Sequence, residues 1–343
     1  MKDTQKGRHT HHQSQANESV EQTKTDVAAS DGIDRRNFLS CMAWAGTGLL
    51  WTMAGGVPTS KLFAATPDAA GNKQSHNHAA TSFSFVQISD SHIGFNKAAN
   101  QDVTGTLKLA IDKINHLSVQ PELLLHTGDV TQSSKAAEFD TAQQIIKGAK
   151  VGQTFYVPGE HDTASDDGVL YHERFGKGTA GNGWYSFNLK GVHFIGLNNV
   201  LQIDAMGNLG PEQLNWLKND LSTLSPSTPI VIFAHIPLWM VYPQWGWGTQ
   251  DGAEALSYLK RFGSVTVLNG HIHQVVQKVE GNVSFHTATS TAFPQPTPGS
   301  APNAGPMVIP AAKLQSVLGI TKVHYIARQS HLAIVDSSLA DKA

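Results

Sequence analysis

Five short apolar runs in this chain each lead onto an acid or a histidine. FSFVQIS leads to Asp90 and His92, ELLLHTG to Asp129, TFYVPG to Glu160, PIVIFA to His235, and SVTVLNG to His271 and His273. An apolar run of about four to eight residues bounded by turn signals reads as a buried strand. Between the first three runs lie two stretches of helical spacing. One, within 101–118, carries Val103, Leu107, Ile111, Ile114 and Leu117; the other spans about 134–149. Strand, helix, strand, helix, strand predicts βαβ units and a parallel sheet buried on both faces.

The second half is richer in hairpins. WYSFNLKGVHFIGLNN turns at Lys190-Gly191 and VVQKVEGNVSFHTATS turns at Gly281-Asn282. LGPEQLNWLKNDL predicts an amphipathic helix with Pro211 near its first turn. A helix around 251–262 and a final strand pair in KVHYIARQSHLAIVDSS complete the pattern, and the Pro/Gly-rich 293–310 reads as loop. Two sets of strands are best buried as two sheets packed face to face with helices outside, an α/β architecture. No repeat of solenoid or propeller period is present.

The first eighty residues follow other rules. Residues 1–33 are polar and aperiodic, a disordered tail. DRRNFLSCMAWAGTGLLWTMAGGV then sets Arg35-Arg36 and Phe38-Leu39 before a Gly/Ala-rich run ending near Val57. That run falls short of the roughly 20 apolar residues of a bilayer span. It resembles a twin-arginine export signal, with Asp34 where Ser or Thr is usual. The expected organisation is tail and signal over 1–65, a linker over 66–82, and one main domain over 83–340. A periplasmic or exported location, the twin-arginine machinery as a partner, and no stable membrane span in the mature protein follow. The alternative for the segment is an amphipathic helix or an uncleaved anchor.

Composition removes several functions. The only cysteine, Cys41, lies in the signal, so the main domain has no disulfide, thiolate metal site or Cys nucleophile. A formal net charge of −2 gives no global pull toward a nucleic-acid polymer or an anionic membrane.

In open α/β sheets, ligands collect outside the carboxyl ends of the strands, and every acid and histidine named above falls at such an end. Oxygen and imidazole donors without sulfur suit Mn, Fe, Zn or Co. The set is too large for one ion and right for two sharing a carboxylate. Along an extended segment His271 and His273 would point to the same side, with Ile272 turned away. Alone, Asp90 and Asp129 read equally as turn carboxylates, and His126, His193, His286, His324 and His331 as ordinary strand histidines.

In order, DSH, GD, GEHD, a lone His after an apolar strand, and GHIH resemble the calcineurin-like metallophosphoesterase pattern over about residues 83–290. The D-x-H opening is closest to its cyclic-nucleotide phosphodiesterase branch. GDVTQSS lacks the tyrosine that marks the purple acid subgroup. The resemblance implies a four-layer α/β/β/α sandwich of two mixed sheets flanked by helices. It also implies two divalent or trivalent metal ions (Mn, Fe or Zn). Asp90, His92 and His273 would hold the first. Asp129 would bridge. Glu160, His235 and His271 would hold the second. His161 would act on the leaving oxygen, with Asp162 orienting it. The implied reaction is hydrolysis of a phosphoester by a metal-bound hydroxide. The substrate class is a small-molecule or lipid phosphoester, a diester before a monoester.

The family pattern has Asn where this chain has Glu160. Glu brings a negative charge and, when ionised, donates no hydrogen bond. Coordination is expected to persist and to tighten toward harder ions. A catalytically weak metal-binding or redox-accessory protein on the same scaffold is the alternative reading. PLWMVYPQWGWG, after His235, carries Trp239, Tyr242, Trp245 and Trp247. It reads as a packed loop before a stacking surface for a base or a lipid headgroup.

Overall fold

The computed structural model describes residues 50–54, 57–61, 82–201, 206–327 and 332–342. It divides into Met1–Lys73 and Gln74–Ala343. In the first unit, β1 (Leu50–Ala54) and β2 (Val57–Lys61) pair antiparallel. Arg35, Arg36, Cys41, most of the expected signal and nearly all of the expected linker lie outside the described residues.

The second unit holds two mixed sheets. In the five-stranded sheet, β3 (Phe83–Ile88), β4 (Leu123–His126) and β5 (Gln153–Tyr156) run parallel. The six-stranded sheet has β6 (Tyr185–Leu189), β7 (Val192–Gly196), β8 (Ile230–Ala234), β9 (Val265–Asn269), β10 (Gln277–Glu280) and β11 (Val283–Thr287). Its order is β10-β11-β9-β8-β7-β6, parallel from β11 to β7 and antiparallel at both edges. The chain then returns to the first sheet as β12 (Gly319–Tyr325) and β13 (Ala333–Ser338), giving the order β13-β12-β3-β4-β5. Lys190 and Gly191 have φ of 49° and 85°, as a two-residue hairpin turn between β6 and β7 requires.

Side-chain alternation builds the layers. Along β8, Val231 and Phe233 join Phe83, Phe85, Leu123 and Leu125 in a core between the sheets. Ile230, Ile232 and Ala234 turn the other way, onto helices Gly210–Ser222 and Gly252–Tyr258. On the other sheet, Val86, Ile88 and Leu124 pack against helices Val103–Asn115 and Ala136–Ile146. Three apolar interfaces therefore separate four layers, helix, sheet, sheet and helix, as expected. Among the described residues no helix is long and apolar enough to cross a membrane.

The layering positions the site. β3, β4, β8 and β9 are fully buried strands and β5 is the edge of its sheet, and their carboxyl ends lead into Asp90, Asp129, His235, His271 and Glu160 respectively. Each residue is thus carried on the exit from a strand pinned on one or both faces.

Candidate metal centre

The seven expected ligands converge, although β3 and β9 are 182 residues apart at Gln87 and Asn269, which hydrogen-bond across the sheets. Asp90, His92 and His273 form one group of converging ligand atoms, and Glu160, His235 and His271 form another. Asp129 lies between them, its Oδ2 3.5 Å from His92 Nε2 and 3.4 Å from His235 Nε2. Within the first group, His273 Nε2 is 3.3 Å from Asp90 Oδ1 and 3.2 Å from His92 Nε2. Within the second, Glu160 Oε1 is 2.9 Å from His271 Nδ1 and Glu160 Oε2 is 3.0 Å from His235 Nε2.

These spacings are those of donors around cations. Ligand atoms about 2.0–2.2 Å from an ion stand about 3 Å from one another. Glu160 Oε2, His235 Nε2 and His271 Nδ1 are buried yet make no hydrogen bond, despite the close approaches. Their lone pairs converge on shared points rather than on each other. Carboxylate and imidazole donors, buried and orphaned in this way, fit divalent metal ions.

Backbone geometry adds a second signal. Eight non-glycine residues among those described have φ in the left-handed region, and Asp90, His92, Asp129, His271 and His273 are five of them. Such conformations cost about 1–3 kcal/mol each and cluster where function demands them. The finding corrects the expected basis for pairing His271 with His273. Neither is on an extended strand: β9 ends at Asn269, and the two histidines have φ of 71° and 53°. Left-handed turns, rather than β alternation, send His271 to one group and His273 to the other.

Two of the four imidazoles, those of His235 and His273, are aimed by their second nitrogen. His235 Nδ1 pairs with the Thr127 carbonyl at 2.7 Å, and His273 Nδ1 with that of Phe293 at 2.6 Å. With Nδ1–H donating, Nε2 is left as the lone-pair donor toward the centre. Phe293 also packs its ring on His92 and His273, with centroids 4.7 and 4.8 Å away. Gly159 and Gly270 allow the close approach: a Cβ at Gly159 would collide with Asp129 Oδ1, and one at Gly270 would stand 2.6 Å from Asp90 Oδ2.

Electrostatics agree with a cation site. Burial alone would raise the carboxyls, but neighbouring imidazoles outweigh it and hold Asp90 and Glu160 well below the carboxylate range. Burial pushes His92 down to about 3, which leaves it neutral, as a ligand must be. The ion pairs of Asp90, Asp129 and Glu160 among the described residues are all with histidine. Among the described residues no lysine or arginine competes for their charge.

His161 sits beside the first group, its ring 4.9 Å from that of His92. Its Nδ1 pairs with the Gln132 carbonyl at 2.8 Å. Burial would lower its pKa, but Asp129, Glu160 and that carbonyl together raise it. Asp162 does not orient this ring, contrary to the sequence reading. Its carboxylate accepts from the backbone N–H of Val130, Thr131 and Gly159 and from Thr131 Oγ1, at 2.8–3.1 Å. Asp162 therefore ties the β4 loop to the β5 loop, and so fixes Asp129 against Glu160. Burial, and then Asp129, push its pKa up to about 7 against the pull of those N–H groups.

Two other expectations resolve. His126 is buried, with Nε2 2.8 Å from Ser91 Oγ, and lies outside the donor groups, as a strand histidine should. Trp247 is 1% exposed and Trp239 packs on Phe285, so the aromatic tract is anchored as a packed loop, with Tyr242 and Trp245 half-buried at its edge. Sequence reading missed Gln132 and Phe293. The first shows no motif, and the second lies in a stretch whose composition says only loop.

A donor set of this kind on this fold is that of a metallophosphoesterase. The chain belongs to the calcineurin-like phosphoesterase family, whose model matches residues 83–275, more than half its length. A probable glycerophosphodiester phosphodiesterase of Arcobacter nitrofigilis is 28% identical over 224 residues, 60% of this chain and 77% of that protein. A probable cyclic nucleotide phosphodiesterase of Vesicomyosocius okutanii is 26% identical over 215 residues, 62% of this chain and 87% of the other. A dimetal phosphatase of Danio rerio superposes with a TM-score of 0.51 at 15% identity, over 75% of this chain and 99% of that one. A purple acid phosphatase of yellow lupin does so with a TM-score of 0.56 at 14% identity, over 78% and 53%. These two likenesses concern the fold.

Proposed function

We propose that the protein hydrolyses phosphodiesters at a centre of two metal ions. The observation that carries this reading is Asp129 Oδ2, set within 3.5 Å of an imidazole from each ligand group. Bound cations supply positive charge for the phosphoryl transition state and acidity that makes water a nucleophile near neutral pH. The chain supplies the rest. Asp90, His92 and His273 would hold one ion, Glu160, His235 and His271 the other, and Asp129 both.

As water adds to phosphorus, the bond to the alcohol oxygen breaks, and that oxygen needs a proton. His161 is placed to deliver it. Its Nδ1–H donates to the Gln132 carbonyl, which favours the imidazolium and leaves Nε2–H for transfer.

Diester preference rests on charge. Asp90, Asp129 and Glu160 put three carboxylates at the centre, and among the described residues no lysine or arginine pairs with them. Two divalent ions against three carboxylates leave one net positive charge, which matches a monoanionic diester better than a dianionic monoester. The two curated relatives described above are named as phosphodiesterases. Replacing Glu160 with Asn should raise activity on p-nitrophenyl phosphate relative to bis-p-nitrophenyl phosphate by about tenfold, the effect of about 1.4 kcal/mol. The same ratio in both proteins would remove the charge argument.

We also assign the protein to an exported compartment, on Arg35-Arg36, Phe38-Leu39 and the apolar run to Val57. Cell fractionation should find the R35K/R36K protein retained in the cytoplasm and the native chain outside it. Equal distribution of the two would contradict the assignment.

A further inference from the structure

The two ligand groups have the same donor inventory. The inner one has a carboxylate, Asp90, and two imidazoles, His92 and His273; the outer one has Glu160, His235 and His271. Asp129 Oδ2 divides itself almost evenly, 3.5 Å from His92 Nε2 and 3.4 Å from His235 Nε2. The groups differ in exposure. The side chains of Asp90 and His273 are 0% and 1% exposed, whereas those of Glu160 and His271 are 30% and 14% exposed, His235 being the one fully buried member of the outer group.

Exposure weakens a cation site, because water screens the donors' charge and competes for the ion. Glu160 counters this with a full negative charge of its own. It also spends both oxygens on the outer group, Oε1 toward His271 and Oε2 toward His235. A neutral side chain at 160 would leave that group with only its share of Asp129. Ligand charge count is a main determinant of affinity at oxygen-rich cation sites.

We infer that Glu160 equalises the two groups, so that both fill with the same kind of divalent ion over one concentration range. This rests on the two-ion reading above and extends it to how the centre is assembled. A neutral residue at 160 would give a tight inner ion and a loosely held outer one, and Glu160 removes that difference. The centre would then be complete before substrate arrives, with no call on the substrate to bring the second ion.

The test is a Mn²⁺ titration of metal-stripped full-length protein, with free Mn²⁺ read from its six-line electron paramagnetic resonance signal. The native protein should take up about two equivalents in a single phase, the complement of a two-ion site. E160Q keeps the side chain's shape and removes its charge. It should take up the same total in two phases, their midpoints separated about tenfold or more. E160D, which restores the carboxylate, should return the phases toward one. Two separated phases in the native protein, or an E160Q curve that overlays it, would overturn the inference while leaving the two-ion reading intact. A total of one equivalent in the native protein would overturn both.

Discussion

Replacing Asp129 with Asn is expected to lower kcat/KM for a phosphodiester by about a thousandfold, equivalent to about 4 kcal/mol of transition-state stabilisation. In the proposed centre Asp129 would touch both ions, so losing its charge would weaken two Lewis acids, each worth several kcal/mol. The amide is the informative replacement. Asp129 Oδ1 accepts the His161 backbone N–H at 3.0 Å, and the Asn oxygen can keep that bond while the charge disappears. The fold should therefore survive, with an unchanged far-UV circular dichroism spectrum, while metal content and activity fall together. Steady-state kinetics at saturating Mn²⁺ with metal quantification checks this. A D129N protein within about tenfold of native activity and fully loaded with metal would rule out a bridging role.

Replacing His161 with Asn is expected to cost about 10²- to 10⁴-fold in kcat, the range of general acid catalysis. Its effect should depend on the leaving group. p-Nitrophenolate departs with little help, whereas an alkoxide must be protonated, so an alkyl diester should lose more than bis-p-nitrophenyl phosphate. The pH profile gives a second reading. Burial lowers the pKa of His161 and the Gln132 carbonyl raises it, and the imidazolium is the form that can donate. Native activity on the alkyl diester should fall as pH rises through that pKa, and H161N should lack the alkaline limb. Equal losses on both substrates with an unchanged profile would make His161 a binding residue only.

Much of this was legible in the sequence because strand ends announce themselves. An apolar run stopping at an acid or a histidine marks both a strand and the residue at its exit, and five such exits sufficed to gather Asp90, Asp129, Glu160, His235 and His271. The four layers followed from the contrast between helix-linked strands and hairpin-linked ones. Backbone conformation was not legible. Nothing in GHIH says that both histidines adopt positive φ, so β alternation supplied a plausible but incorrect reason for their shared location. Partner identity was also hidden. Asp162 adjoins His161 in sequence, yet the short helix Glu160–Thr163 carries its carboxylate to the N–H groups of Val130, Thr131 and Gly159. The group that engages the His161 ring is a main-chain carbonyl, at Gln132, and a main-chain carbonyl leaves no mark in a sequence. Phe293 escaped notice for a similar reason. Its ring packs on the inner histidines only because β11 ends nearby and the following loop folds back over the site.

The claim on which the rest depends is that this chain holds two ions across one carboxylate. Anomalous diffraction from crystals grown with Mn²⁺ tests it directly. Two peaks about 3.5–4 Å apart are expected, with Asp129 between them, Asp90, His92 and His273 around one, and Glu160, His235 and His271 around the other. A single peak, or two peaks that share no ligand, would contradict the account.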